Sequence, residues 1–112
     1  FSDLKDRGLL DEILVVVNAE FGRTPVINQR AGRDHWPWVY SLALTGAGVR
    51  PGTIFGASDN SAAYPVESPR TQADFAATLY HLLGIPADTI LHDQTDRPHP
   101  LVIGQPVVEI LG

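Results

Sequence analysis

Ile13-Leu14-Val15-Val16-Val17 is the longest uninterrupted apolar run in the chain, and four of its five residues are β-branched. Such side chains are stiff and suit an extended backbone. With no polar residue alternating through it, the run has the pattern of a strand covered on both faces, as in a parallel sheet. It is read as a central strand. Five residues are also far fewer than the roughly 20 needed to cross a bilayer, so no membrane span is expected.

The flanking sequence fits an α/β arrangement around that strand. Asn18-Ala19-Glu20-Phe21-Gly22-Arg23-Thr24-Pro25 ends it and starts a long loop from its carboxyl end. Val39-Tyr40-Ser41-Leu42-Ala43-Leu44 reads as a second strand closing at Thr45-Gly46-Ala47-Gly48, and the loop between the two strands shares one rim of the sheet with the first. Thr53-Ile54-Phe55-Gly56 is short enough for an edge strand, and residues 57–69 read as irregular. A helix follows: Thr71 and Asp74 form a variant capping box, Phe75, Leu79, Leu82 and Leu83 make one stripe, and Gly84 and Pro86 stop it. His81 falls opposite the stripe and faces solvent. Residues 107–111 read either as a closing strand or as a terminal helical turn.

A chain of 112 residues with 10 Gly and 9 Pro holds one small domain or a piece of a larger one, with much of it turn and loop. Net charge is −5 with no run of Lys or Arg, which argues against nucleic acid as a partner. The absence of Cys excludes disulfides and thiolate metal sites. There is no Met, and Leu4, Gly8, Leu9 and Leu10 read as the last turns of an amphipathic helix whose upstream half is missing. Residues 1–112 are therefore expected to be a single carboxyl-terminal segment of a larger domain, with any signal peptide upstream. A cut sheet edge would favour pairing with another chain, hence a homo-oligomer.

Two groups of residues could carry chemistry. Glu20 and Arg23 lie just beyond the carboxyl end of the first strand, the edge at which open α/β sheets bind ligands. A carboxylate there can ligate a hard cation and an arginine can hold a phosphate or sulfate oxygen; equally, the two can pair and pin the turn. Arg33-Asp34-His35-Trp36-Pro37-Trp38 places a guanidinium, a carboxylate and an imidazole beside two indoles. Imidazole with a nearby carboxylate suits a divalent metal, whereas the bland reading is a rigid loop whose indoles cap the core. His92-Asp93 and Asp96-Arg97-Pro98-His99-Pro100 lie in a proline-rich stretch. They read as a hydrogen-bonded loop, or as a contribution of His99 to the same rim if that loop folds back. Asp59-Asn60 reads as a turn containing a left-handed residue.

The blocks Glu20-Phe21-Gly22-Arg23-Thr24-Pro25, Gly32-Arg33-Asp34-His35-Trp36-Pro37, Gly56-Ala57-Ser58-Asp59, Tyr80-His81-Leu82-Leu83-Gly84-Ile85 and Arg97-Pro98-His99-Pro100-Leu101 occur in a recognisable order. Together they resemble the carboxyl-terminal part of a large bacterial family of exported proteins of unknown function related to sulfatases, within the alkaline phosphatase and sulfatase superfamily. The resemblance implies a fragment of a mixed, largely parallel sheet flanked by helices. It implies an exported or periplasmic protein, and a nucleophile upstream of Phe1, so that these residues alone would be inactive. It also implies one or two divalent metals (Zn, Mn, Mg or Ca) at the strand ends. Ala19-Glu20-Phe21-Gly22 stands where phosphatases and sulfatases carry an Asp-His-Gly metal motif. Glu20 keeps a carboxylate there, and Phe21 can coordinate nothing. His35 is placed like the additional histidine ligand of the phosphoglycerate mutase branch.

The expected metal ligands are thus Glu20, Asp34 and His35, and the expected substrate contacts Arg23, Arg33, Trp36 and His99. The expected function is part of a metal-dependent hydrolase of phosphate or sulfate esters, with a small anionic ester or a sulfated or phosphorylated carbohydrate as ligand. The alternative is a superfamily member that has lost hydrolysis and binds an anion or carbohydrate, with Trp36 and Trp38 as a stacking platform.

Overall fold

A computed structural model describes all 112 residues, which divide into two units, Phe1–Pro69 and Arg70–Gly112. The first opens with helix α1 (Ser2–Asp6), closed by Gly8 in the left-handed region at φ 68°. Six strands follow: β1 (Val15–Val17), β2 (Gly22–Arg23), β3 (His35–Trp36), β4 (Ala43–Thr45), β5 (Ala57–Ser58) and β6 (Pro65–Glu67). The second unit contains helix α2 (Gln72–Leu82), strands β7 (Ile90–His92) and β8 (Pro98–Pro100), and a 3-10 turn at Val108–Ile110.

The expected parallel sheet, and with it the α/β class, is not what forms. Every ladder is two-stranded and antiparallel: β1 with β4, β2 with β3, β5 with β6 and β7 with β8. A parallel neighbour requires a crossover long enough to lie over the sheet. Here the chain between β1 and β4 is occupied by the β2–β3 ladder, so β4 returns beside β1 reversed, with Val15 opposite Thr45 and Val17 opposite Ala43. The two ladders are nested in one long excursion of the chain. Nor is β1 covered on both faces, since Val15 and Val16 are half-buried and Val17 is 59% exposed. The apolar run dictated an extended backbone, but its partner was decided by the turn residues between residues 24 and 34.

Three turns share one construction. At the tip beyond β2, the Asn28 side-chain oxygen accepts the backbone N–H groups of Arg30 (3.0 Å) and Gly32 (3.1 Å), and Ala31 takes φ 57°. Between β5 and β6, Asp59 accepts from the N–H groups of Ser61 (3.1 Å) and Ala63 (2.8 Å), with Ala62 at φ 55°. Between β7 and β8, Asp93 accepts from those of Thr95 (2.8 Å) and Arg97 (3.1 Å), with Asp96 at φ 60°. In each case the fourth residue donates its N–H to the first residue's carbonyl. A short acid or amide side chain replaces backbone partners that the turn would leave unpaired. Residues 57–69 and 87–101, read as loop, are hairpins built on this device, and the left-handed residue near Asp59 is Ala62 rather than Asn60. The expected strand at 39–44 forms only at Ala43–Thr45, and residues 53–56 precede β5 instead of forming a strand.

The α2 helix starts as its sequence dictates: Thr71 accepts from the Asp74 N–H at 3.2 Å, and Asp74 accepts from the Thr71 N–H at 2.8 Å. Its buried residues are not the leucine stripe, as Leu83 is 70% exposed while Ala77 and Thr78 are enclosed. The reason is the segment at 104–107. Thr78 Oγ1 donates to the Asp74 carbonyl (2.7 Å) and accepts the N–H of buried Val107 (2.9 Å), and the second Asp74 oxygen takes the Gln105 N–H (2.8 Å). Gly104 makes this possible, because a Cβ there would strike the Ala73 backbone. Residues 108–110 form the helical turn of the two forms expected at the chain end. No helix is long and apolar enough to cross a membrane.

Removing the Thr78 hydroxyl strands a buried amide, so Thr78→Val is expected to cost about 1–3 kcal/mol in chemical denaturation. A loss within error would show that Val107 finds another partner. The carboxyl of Asp59 is held below its ordinary value chiefly by the Ala63 amide, that of Asp74 by the Gln105 amide, and that of Asp93 by the Thr95 hydroxyl. A lowered folded-state value contributes stability that is present above the unfolded value of about 4 and is lost as pH falls through the lowered one. Melting temperature should therefore hold from neutrality to about pH 5 and fall below about pH 4. Asp93→Asn, which keeps an acceptor without the charge, should make that fall shallower; identical acid limbs would exclude a role for Asp93.

Candidate functional site

The expected chemistry-bearing residues of the first unit lie on the β2–β3 ladder and its turn. Arg23 is directly opposite His35, and Gly22 opposite Trp36. Side chains alternate along a strand, so Phe21, Arg23 and His35 share one face and Trp36 takes the other. On the first face the Phe21 ring lies 3.9 Å from the His35 ring, centroid to centroid, at 33°. The Arg23 guanidinium sits 5.6 Å from the centroid of Phe21, within cation–π range. The Arg23 side chain makes one hydrogen bond, a long one of 3.4 Å from Nη1 to the Arg33 carbonyl. The Glu20–Arg23 pair that could have pinned the turn does not form; Glu20 is exposed beside the strand.

Arg33 and Asp34 are turned inward to the hairpin itself. Arg33 Nη1 donates to the carbonyls of Thr24 and Pro25, each at 2.6 Å. Asp34 Oδ1 accepts from Asn28 Nδ2 at 2.9 Å, and the Asp34 N–H reaches Thr24 Oγ1 at 3.1 Å. These bonds hold the excursion shut. No three His, Asp or Glu side chains are gathered into a group that could hold a metal ion. Glu20, Asp34 and His35 therefore do not make a metal centre among themselves, and the expected donor set does not fit that role on its own.

On the opposite face, Trp36 donates from Nε1 to the Ala63 carbonyl at 2.6 Å and meets the Tyr64 ring edge-on, at 5.6 Å and 66°. Trp38, 61% exposed, lies 6.2 Å from the same tyrosine at 46°. The more exposed indole is thus Trp38, and Tyr64 joins it from the β5–β6 turn. Tyr64 was missed in the sequence because residues 57–69 carry no strand pattern long enough to indicate a hairpin. His99 belongs to the second unit. Its ring lies 3.2 Å from Asp93, which also receives Arg97 Nε at 2.8 Å. It lies in β8 opposite Leu91, a strand rather than the expected loop, with its ring against the Asp93 carboxylate that heads the β7–β8 turn.

The stretch that holds the hairpin also has an electrostatic character that the overall charge conceals. Between Phe21 and Ser58 there are four arginines, at 23, 30, 33 and 50, against one acid, Asp34, in a chain of net charge −5. Arg23, Arg30 and Arg33 are in no salt bridge. The signal was available in the sequence as the scarcity of acids across this stretch, not as a run of bases.

Searches of curated proteins and of solved structures found no match. A protein-family model described as "Protein of unknown function (DUF1501)" matches residues 1–111. With the match covering nearly every residue, the chain belongs to the DUF1501 family.

Proposed function

We propose that this segment binds the anionic group of a sulfate or phosphate ester, with Arg23 as the principal contact. The observation that carries the reading is the Arg23–Phe21–His35 stack: a guanidinium oriented by an aromatic face, opposed by no carboxylate. Guanidinium matches sulfate and phosphate oxygens bidentately, and a cation already laid against a ring loses less freedom on binding than a mobile one. Arg33 supports the site by bracing the hairpin through the Thr24 and Pro25 carbonyls. The resemblance to exported sulfatase-related proteins supports an ester as the ligand and an exported or periplasmic setting.

Within this proposal, hydrolysis is the task of the intact protein, with a nucleophile and any divalent metal supplied from outside these residues. The gathered face of Arg23, Phe21 and His35 equally serves a protein that binds without hydrolysing. Assays of aryl sulfate and aryl phosphate cleavage on the longest expressible form separate the two, turnover favouring the enzyme and binding without turnover the lapsed one.

Arg23→Gln is expected to weaken binding of a small alkyl sulfate or phosphate by about tenfold or more, the equivalent of one charge-assisted hydrogen bond, when measured by calorimetry on the full chain. Wild-type affinity in that variant would overturn the proposal. Since the contact is made by arginine, EDTA should leave this binding unchanged, and His35→Ala should leave the protein's metal content as it is by elemental analysis. Loss of binding on chelation would instead place a metal at the anion.

A further inference from the structure

We propose a second subsite, formed by Trp38 and Tyr64, that stacks on a saccharide ring. It rests on the anionic-ester reading and names the substrate class, a sulfated or phosphorylated carbohydrate. Trp38 is 61% exposed and Tyr64 48%, and their rings stand 6.2 Å apart at 46°, an open angle rather than a closed stack. Tyr64 is held in place from behind. Trp36 is anchored by its indole N–H on the Ala63 carbonyl and abuts Tyr64 edge-on, while Asp59 fixes the turn through the Ser61 and Ala63 amides. A pre-ordered aromatic ring binds at little entropic cost.

The chemistry of the patch selects its occupant. One face of a pyranose carries a set of C–H groups and is apolar, while its rim carries hydroxyls. The complement is a flat aromatic surface edged by a polar group, and the Tyr64 hydroxyl supplies the edge, being free of any partner within the chain. A peptide side chain would call for a pocket, which two tilted rings do not make. Charge selects further: arginines 23, 30 and 33 make no ion pair, and with Arg23 on the opposite face of a ladder only two residues long, an oligosaccharide passing over its edge meets both the rings and the cation, which favours a glycan bearing anionic groups over a neutral one.

The test is titration of the full chain with three probes: inorganic sulfate, a neutral glucan oligosaccharide, and a sulfated oligosaccharide. Calorimetry gives the affinity, and Trp emission reports on the rings, since Trp36 and Trp38 are the chain's two indoles. The sulfated oligosaccharide should bind more tightly than inorganic sulfate and shift the emission to the blue. Trp38→Ala should weaken the oligosaccharide by about tenfold and leave inorganic sulfate unchanged, and Tyr64→Phe should weaken it by about threefold, one lost hydrogen bond. Arg23→Gln should weaken both anionic probes. Wild-type oligosaccharide affinity in Trp38→Ala, or an oligosaccharide no tighter than inorganic sulfate, overturns the saccharide subsite while leaving the anion contact standing. An Arg23→Gln variant that binds both anionic probes normally overturns the anion reading itself. Preference for poly-glutamate over the sulfated oligosaccharide, or self-association abolished by Trp38→Ala, would assign the patch to a protein partner and overturn the proposal. Unchanged helical circular dichroism in each variant keeps folding out of the comparison.

Discussion

With Ala77, Thr78 and Val107 as the only buried residues, apolar burial alone does not fix the course of this chain. What recurs is a side-chain oxygen at the head of a turn, taking the amides two and four residues ahead. Asn28, Asp59 and Asp93 each do this. Each bond is modest, but it converts an irregular polar stretch into a tip of defined geometry, and a defined tip sets the register of the strands leaving it. The ladders are only two or three residues long. Ladders that short hold a register because the turns impose it.

This explains which parts of the structure the sequence disclosed. Helix α2 was legible from Thr71, Asp74 and Gly84, since caps act locally and report on their own neighbours. The extended run at Val15–Val17 was legible for the same reason. Its antiparallel pairing was not, because partner and direction depend on how the intervening residues turn, and Asn28 offers little sequence signal beside the Gly, Pro and β-branched residues that usually mark strands and turns. The hairpins at residues 57–67 and 90–100 were hidden by prolines and by strands too short to show an alternating pattern. At the site, Arg23 and His35 were picked out individually and do meet across the ladder. Asp34 and Arg33 were also picked out, and are spent on the hairpin's own amide and carbonyl groups.

The two faces of the β2–β3 ladder divide the work between charge and surface. One presents a guanidinium against stacked rings; the other sends Trp36 into the β5–β6 turn and lets Tyr64 meet Trp38. Gly22 makes the division possible. It stands where a side chain would accompany Trp36, and a Cβ there would collide with the Val39 carbonyl. The strand can therefore lie flat against the returning chain. The aromatic cluster and the cation are products of one register, and a slip by a single residue would exchange their faces.

In the second unit, the bonds from Asp74 to Gln105 and from Thr78 to Val107 tie the end of the chain back to α2, and everything between them is a closed loop. The entropy of closing such a loop rises only slowly with its length, by about 0.6 kcal/mol per doubling. In closure entropy a longer β7–β8 tip would cost little; what it would lose is the Asp93 bonds to the Thr95 and Arg97 amides. At Gly104 even one methyl group meets the backbone of Ala73. The unit thus joins a place where added length costs only a turn's own bonds to a place where it cannot accept a single carbon, and new surface can grow on the hairpin without disturbing the clasp beneath it.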